Sequence, residues 1–549
     1  MSATKKSFKI KMIHKYTKIN KNNIFKDITL DKKTDSNILI DIYSNLSSAI
    51  DSFVLENNFH KFLRINASPN EDNLNLLSNL LDEKKTTFRP LIFSSILKNE
   101  LLGYHGNDIE DHPQILSVFE RFTDRIVIIP AVTFENFSKS EWLKFKSIVE
   151  KQLFHSYLND RNTSFKIKFI LVGTMNDFSL LDNLEQQNTY ENYMYSSINS
   201  IFLINQGNHQ KYFDFISYLI ETYSFPKFND LSAYQEFLKI IWRKTGDLNH
   251  LLLDISWLKN ILSEISVCRT SNFIDEETIS LFISKKTQQE AHLVDLLKED
   301  FKNNQILIET EGTKVGQING LSIIDVNGYP KSIGEPMRIS SVISHGEGEI
   351  IDIDHKADLA GNIHQKGMLI INFFLSNILN QNLPLPFNIS FTIEQSHDEI
   401  DGDSASLAGL CVLLSSLSDI PLKQNIAVTG AIDQFGKVCP VGGINEKIES
   451  FYDICKDTNL NGEHGVIIPY NNKKNVCLRN DVQQAIDDKL FNIWLVDNVS
   501  DATQLLFDKN LEDSKNNVGI ISLIEHRLDD SNIKKSIFSK IKRFFLDKI

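Results

Sequence analysis

A serine and a lysine forty-three positions apart are the residues of this sequence whose types and setting most clearly suggest chemistry. Ser404 lies in the pentapeptide 402–406 (Gly-Asp-Ser-Ala-Ser), and Lys447 ends the hexapeptide 442–447 (Gly-Gly-Ile-Asn-Glu-Lys). A serine hydroxyl is a poor nucleophile unless a positioned base takes its proton, and a lysine amine is such a base only when burial lowers its pKa. The pair therefore predicts amide cleavage by Ser404 with Lys447 as general base, and no histidine is required.

The segment around Ser404 predicts how this side chain is placed. From 404 to about 417 the sequence is apolar and free of proline, which predicts a helix that Ser404 enters from a turn. The first N–H groups of such a helix, and its positive end, can stabilise an oxyanion. Thr429 ends a short predicted strand at 425–429, where its hydroxyl can hold the lysine amine by a hydrogen bond.

Lys447 falls one turn into a predicted helix from 446 to 455, with Ile444 and Ile448 beside it. Its stem is therefore expected inside the protein. A serine or a lysine taken alone is most often a surface residue, so the specificity of this prediction comes from the context of the two.

The glycine distribution predicts a boundary between two kinds of architecture near residue 305. Five of the 23 glycines lie in the first 300 residues, and eighteen follow residue 311. Glycine supplies the positive φ angles and close backbone approaches that tight turns need. Beyond residue 311 the sequence predicts an α+β domain, with further strands at 316–324, 387–393, 465–469 and 491–496.

The first part of the chain predicts an α/β layer. Residues 125–130 and 168–173 are short apolar runs typical of buried strands. Between them, a capping-box pattern at 138–141 opens a predicted helix with apolar residues from Trp142 to Leu153 at helical spacing. From about 210 to 300 the pattern is helical with no strand signal, which predicts an all-α subdomain.

Composition favours an ordinary globular protein. Hydrophobic residues make up 42% and charged residues 23% of the chain, which argues against long disorder. The five cysteines form no C-x-x-C pair, so neither a disulfide framework nor a zinc site is predicted, and a reducing cytoplasm is the expected location. No apolar run of about 18 residues occurs, so neither a signal peptide nor a membrane span is expected.

Both ends of the chain carry distinctive charge patterns. The first 33 residues hold ten lysines and two aspartates within a chain of formal net charge -13. Such an arm can contact nucleic acid, or it can be a solvated tail.

Residues 531–549 place apolar side chains on one helical stripe with lysines largely off it. This helix could lie on an anionic membrane, although docking on its own protein or on a neighbouring subunit is the commoner arrangement.

The motifs around the serine, threonine and lysine resemble the proteolytic domain of Lon proteases in order and separation. The resemblance implies that Ser404 is the nucleophile, Lys447 the general base and Thr429 the supporting hydroxyl. It extends over roughly residues 311–507 and is carried by 401–406, 428–430, 440–447, 316–321, 334–339 and 361–367.

Gly-Asp-Ser-Ala-Ser, in place of Gly-Pro-Ser-Ala-Gly, is similar to the Lon-B and Lon-like branches. The flanking segments 391–396 and 429–436 resemble a subgroup of homologues from gamma-proteobacteria. Because the pair of Ser404 and Lys447, the dyad, works without an imidazole, we expect His364 and His397 to serve local packing or substrate-side hydrogen bonding.

A Lon protease normally carries an AAA+ ATPase, whose phosphate loop requires G-x-x-x-x-G-K-[ST]. No Gly-Lys pair occurs in the first 300 residues, and 128–132 (Ile-Ile-Pro-Ala-Val) lacks the acidic pair of a Walker B strand. Residues 171–176 nevertheless resemble an AAA+ sensor strand, with Asn176 as a remnant near a γ-phosphate position. The resemblance thus implies an AAA+-derived module that has lost ATP hydrolysis, so no cofactor and no metal is expected to be required, although ATP with magnesium stays an alternative.

The predicted protein is a Lon-like endopeptidase that cleaves unfolded or flexible proteins inside a homo-oligomeric ring. One alternative is a non-proteolytic ring scaffold or DNA-binding module, and another is an ATP-dependent protease with an unorthodox nucleotide site. The predicted layout is a basic arm (1–35), a degenerate AAA+-like α/β domain (36–209), a helical lid (210–304), a Lon proteolytic domain (305–510) and an amphipathic tail (511–549).

Overall fold

The structure is a computed structural model of the 549-residue chain. The described residues form two compact units, one within 24–241 and 250–282, the other within 1–23, 242–249 and 283–549. The structure describes residues 11–12, 37–55, 57–84, 86–102, 116–156, 161–185, 193–204, 208–346, 348–379, 387–395, 401–458, 460–513 and 518–528.

The elements before residue 305 alternate short strands with helices. The strands are β1 (Lys11–Met12), β2 (Phe62–Asn66), β3 (Arg89–Ile92), β4 (Arg125–Pro130), β5 (Leu153–Ser156), β6 (Arg161–Ser164), β7 (Ile167–Gly173), β8 (Met194–Ser197), β9 (Ile201–Leu203) and β10 (His250–Leu252). The helices are α1 (Ile38–Ile42), α2 (Ser44–Val54), α3 (Glu71–Glu83), α4 (Lys98–Leu102), α5 (Val118–Arg121), α6 (Lys139–Lys151), α7 (Met175–Glu185), α8 (His209–Thr222), α9 (Leu231–Thr245), α10 (Ile255–Cys268), α11 (Glu276–Gln289) and α12 (His292–Lys302).

A five-stranded parallel sheet organises the first unit, in the order β3-β4-β7-β2-β8. Both faces of its central strands are covered, which explains why β4 and β7 are almost entirely apolar. Ser138 and Glu141 form the expected capping box of α6, whose Trp142 and Phe145 pack in the core of this unit. The predicted succession of strand, helix and strand is therefore confirmed.

Two local predictions for the first unit are wrong. Leu153 does not continue α6 but begins β5, which pairs with β6 in a separate hairpin. The segment 210–300, expected to lack strands, contains β10, which pairs with β9. Three residues are too few to show an alternating pattern, so only the pairing across the chain reveals this strand.

The elements after residue 305 belong to the second unit. The strands are β11 (Thr313–Lys314), β12 (Gln317–Ile324), β13 (Ile333–His345), β14 (Ile350–Asp352), β15 (Phe387–Ile393), β16 (Leu422–Lys423), β17 (Ile426–Val428), β18 (Ala431–Ile432), β19 (Val438–Cys439), β20 (Gly465–Pro469) and β21 (Asn492–Val496). The helices are α13 (Ile353–Lys356), α14 (Asn362–Ile378), α15 (Ser406–Ser418), α16 (Ile444–Thr458), α17 (Asn480–Asp487) and α18 (Val499–Phe507), and 520–528 is also helical.

The second unit is built on an eight-stranded mixed sheet in the order β1-β21-β20-β17-β12-β13-β15-β14. Its centre is parallel, from β12 through β17 and β20 to β21, whereas β13 is antiparallel to both of its neighbours. Parallel neighbours need crossover connections, which the helices between them provide. The unit is thus a mixed α/β arrangement, and the strands predicted beyond residue 311 are confirmed to within one or two residues.

The two faces of this sheet carry separate hydrophobic cores. Along β17, Ile426 and Val428 pack on one face with α14 and α15, while Ala427 packs on the other face with α16 and α17. Helix α15 is buried on all sides from Ser406 to Leu417, as expected of a helix that is apolar all round.

Within the described ranges, no helix combines the length and the apolar character needed to cross a membrane. The predicted basic arm apart from residues 11–12, the predicted amphipathic helix at 531–549 and His397 lie outside the described residues.

Candidate active site

Ser404 lies in a turn that leads into α15 and is fastened to the chain after β17. The N–H of Gly430 donates to the Ser404 carbonyl at 2.8 Å, and the N–H of Leu407 donates to the Gly430 carbonyl at 3.0 Å. The Ser406 N–H donates back to the Asp403 carbonyl at 3.0 Å. These bonds fix the backbone of the turn while the Ser404 side chain stays only half-buried, so it is accessible.

Lys447 lies in the first turns of α16 with its side chain directed at Ser404. Its Nζ donates to Ser404 Oγ at 3.0 Å and to Thr429 Oγ1 at 3.2 Å. Only 2% of Lys447 is exposed, so the predicted burial of its stem is confirmed. The structure therefore brings together the three residues that the sequence singled out.

The serine and the lysine reach this point from opposite faces of the sheet. Helix α15 packs on one face and α16 on the other, and β17 ends between them at Val428. Thr429, which is fully buried, follows directly; its N–H donates to the Ile467 carbonyl at 3.1 Å and its hydroxyl to the Ser404 carbonyl at 3.3 Å. The site thus lies beyond the carboxyl end of a parallel strand, where the side chains of α/β folds commonly converge.

Burial sets the protonation of the lysine. Desolvation lowers the pKa of Lys447 to about 8, because the ammonium form loses hydration when it is buried. The Asp403 carboxylate opposes this effect and raises the same pKa. An amine with such a pKa is partly neutral near physiological pH, which allows it to accept a proton from a hydroxyl group.

Two backbone donors stand close to the serine. Within the described residues, the N–H groups of Ser404 and Ala405 donate to no acceptor, whereas those of Ser406 and Leu407 are occupied. Both free groups precede the first turn of α15, where the helix dipole is positive. They are suited to stabilising negative charge on an oxygen bound beside Ser404.

Two further predicted residues, His364 and Asn176, lie on other elements of the structure. His364, only 4% exposed, pairs with Asp352 through Nε2 at 3.1 Å and contacts neither dyad residue in the described part of the chain. Asn176 is exposed in the first turn of α7, in the other unit.

Three hydrogen bonds near the dyad, made by two pairs of residues, were not predicted from the sequence. The Asp401 carboxylate accepts the N–H of Ile363 at 2.8 Å and so caps α14, which anchors the segment before Ser404. Asn472 exchanges two hydrogen bonds with the backbone of Val441, at 2.8 and 2.9 Å, and so fixes the loop before Lys447. These pairs join residues about 30 or more positions apart, so no local pattern marks them.

One end of the parallel sheet in the first unit is the position at which α/β folds commonly bind phosphate. Strands β2 and β7 are neighbours whose connections leave in opposite directions, and phosphate sites form at such a point, on the N-terminus of the following helix. Here the Asn70 side chain already accepts the Asn73 N–H at the start of α3. Asp72, two residues after Asn70 in the first turn of α3, accepts hydrogen bonds from Lys259 at 2.6 and 2.8 Å and from Ser256 at 2.7 Å.

The first turn of α3 also carries Glu71, whose negative charge is unfavourable for a phosphate at this helix end, while Asp72 is paired with Lys259. Within the described ranges, no three His, Cys, Asp or Glu side chains come together as a possible metal site.

Comparison with known proteins places these features in a family. A family model described as the Lon protease (S16) C-terminal proteolytic domain matches residues 295–509. Two bacterial proteins that both bear the name "Putative Lon protease homolog" are similar over most of the chain. The one from Escherichia coli is 35% identical over 398 residues, 70% of this chain and 67% of its own length. The one from Haemophilus influenzae is 36% identical over 405 residues, 71% of this chain and 67% of its own. An archaeal Lon protease of Pyrococcus abyssi is 28% identical over 260 residues, 46% of this chain and 24% of its own.

Proposed function

Because the chain belongs to the Lon protease family, we propose that it is a serine endopeptidase in which Ser404 attacks the peptide bond and Lys447 is the general base. The observation that carries this proposal is the 3.0 Å hydrogen bond from Lys447 Nζ to Ser404 Oγ, made by a lysine with 2% exposure. A scaffold gains nothing from burying an amine against a hydroxyl, since burial of an ionisable group costs stability.

In the first half of the reaction, neutral Lys447 takes the proton of Ser404 Oγ as this oxygen bonds to the peptide carbonyl carbon. The carbonyl oxygen becomes an oxyanion, to which the N–H groups of Ser404 and Ala405 can donate, since they have no acceptor among the described residues. The new ammonium of Lys447 then gives its proton to the leaving amine, the carbon–nitrogen bond breaks, and an acyl-enzyme remains.

In the second half, Lys447 takes a proton from a water molecule that attacks the acyl carbonyl, and the proton returns to Ser404 as the ester breaks. Thr429 contributes by holding Nζ, since its hydroxyl at 3.2 Å is the second partner of the amine. The hydroxyl keeps the amine oriented toward Ser404 without itself exchanging a proton with substrate.

We propose unfolded or flexible proteins as substrates. Attack requires the peptide carbon to approach Ser404 Oγ to about 3–3.5 Å, which a folded segment with paired backbone groups does not permit. In line with the family, we also propose assembly into a homo-oligomeric ring in the cytoplasm, with the first unit derived from an AAA+ module and its helical lid.

The first unit supports the proposal that cleavage needs no ATP hydrolysis. The loop 67–70, which follows β2 where a phosphate loop would stand, contains neither glycine nor lysine. The helix α3 that follows this loop begins with the acidic residues Glu71 and Asp72. Lys259 is the nearby positive charge that a nucleotide phosphate would need, and it is already paired with Asp72.

Cleavage of fluorescently labelled casein by the full chain, with and without Mg-ATP, tests both proposals. We expect equal rates in both conditions and no cleavage by Ser404→Ala or Lys447→Ala. Lys456→Ala is the matched control, because Lys456 lies on the same helix with a side chain 55% exposed. Wild-type protein that never cleaves would favour the scaffold, whereas a rate that rises with ATP would favour an unorthodox nucleotide site.

A further inference from the structure

An arginine far from the dyad in sequence binds the helix that carries Lys447. Arg243, in the last turn of α9, belongs to the same compact unit as α16. Its guanidinium binds the Glu449 carboxylate with both prongs, Nη1 to Oε1 at 2.6 Å and Nη2 to Oε2 at 3.1 Å. Forked pairing of this kind fixes direction as well as distance.

Glu449 is held on a second side as well. The Arg479 N–H donates to Glu449 Oε1 at 2.8 Å, and the Glu449 side chain is only 9% exposed. Arg243 also donates to the Cys477 carbonyl at 2.9 Å, so the arginine ties α16 to the segment that precedes α17. A nearly buried carboxylate with three donors has little freedom to turn.

The residues that follow Arg243 dock on the same segment. The Leu248 N–H donates to the Lys474 carbonyl at 2.8 Å, and Asn475 donates to the Gly246 carbonyl at 2.7 Å. An ion pair joins Lys474 to Asp247 at 2.9 Å. The 243–248 turn is therefore a fixed base for the guanidinium and not a loose loop.

Lys447 and Glu449 are two residues apart on α16, so their side chains leave the helix on different sides. Restraining Glu449 therefore restrains the rotation of α16 about its axis. For a side-chain end about 6 Å from the helix axis, a rotation of about 10° moves the amine by about 1 Å. A misplacement of about 1 Å at a reacting centre can cost about a hundredfold in rate.

We propose that Arg243 is a positioning residue, which through Glu449 sets the rotation of α16 and so keeps Lys447 Nζ within reach of Ser404 Oγ. This inference rests on the proposed function of the dyad. It makes the 243–248 turn part of the machinery of the proteolytic site, although the turn lies more than 40 residues before the segment that matches the family.

Arg243→Gln in the full chain tests the proposal by the kinetics of cleavage of a fluorogenic peptide. We expect kcat to fall about tenfold to a hundredfold with KM within about twofold, and Arg243→Lys, which keeps the charge but not the fork, to recover part of the loss. The matched control is Arg527→Gln, since Arg527 donates to the carbonyls of Ser416 and Leu417 at the far end of α15. A general loss of stability would lower the activity of both variants alike.

Unchanged kcat in Arg243→Gln would overturn the proposal. If that variant does not fold, Glu449→Gln is used instead, and a kcat equal to wild type would count against the proposal in the same way. Crystal structures of wild type and variant separate this inference from the proposed function, because they need no turnover. If wild type cleaves nothing, the proteolytic function fails, and a dyad distance that stays at 3.0 Å in Arg243→Gln then rejects the positioning role as well.

Discussion

Cleavage should rise with pH across the pKa of Lys447, because only the neutral amine can take the serine proton. With this pKa at about 8, roughly one lysine in ten is neutral at pH 7 and about nine in ten at pH 9. We therefore expect kcat/KM to increase about tenfold between these two values, with a midpoint near pH 8.

Asp403→Asn should move this midpoint to lower pH. The Asp403 carboxylate stabilises the ammonium form of Lys447 and so raises the lysine pKa against the effect of burial. Removing the charge removes this opposition, so a larger fraction of the amine is neutral at pH 7. Activity at pH 7 relative to pH 9 should rise in the variant even if its absolute kcat falls.

The assay is the initial rate of cleavage of a fluorogenic peptide without titratable groups, measured from pH 6 to pH 10. Asp487→Asn is the control and should leave the midpoint in place, because it removes an exposed carboxylate at the end of α17 that does not act on the Lys447 pKa. A kcat/KM that stays level between pH 7 and pH 9, or an Asp403→Asn midpoint displaced to higher pH, would refute the assignment of Lys447 as a base tuned by burial.

Three further substitutions have defined outcomes. Lys447→Met should abolish cleavage yet raise the free energy of unfolding in urea by up to about 3 kcal/mol at pH 7, because the pKa of Lys447 falls from 10.5 to about 8 on folding. This gain in stability should fade as the pH approaches 10, where the lysine of the unfolded chain also loses its proton. Thr429→Val should lower kcat by about tenfold to a hundredfold through loss of one hydrogen bond to the amine, whereas Thr429→Ser should retain most activity. Gly443→Ala should lower the melting temperature, at a cost of about 1–3 kcal/mol, since Gly443 has φ 65° and an added Cβ would lie 2.5 Å from Ile323. Gly442→Ala, which meets nothing within 4 Å, should melt like wild type.

The elements of the proteolytic unit are predictable from the sequence because their signals are local. The all-apolar run that becomes α15, the alternation in β15 and the paired glycines before α16 each reflect the environment of a single element. The signals failed where an element was too short, as in β10, or where the chain left its helix early, as at Leu153.

The sequence by itself determined which residues could act as nucleophile, base and supporting hydroxyl, and which element carries each. Ser404 precedes an apolar helix, Thr429 ends a strand, and Lys447 lies one turn into an amphipathic helix. Only the tertiary structure decided that α15 and α16 lie on opposite faces of one sheet and meet beyond the end of β17. It also decided that Arg243 reaches Glu449 and that Asp72 meets Lys259. The physical reason is that a hydrophobic pattern records which side of an element is buried but not against what, since the apolar contacts that join elements are non-directional and their partners lie far along the chain.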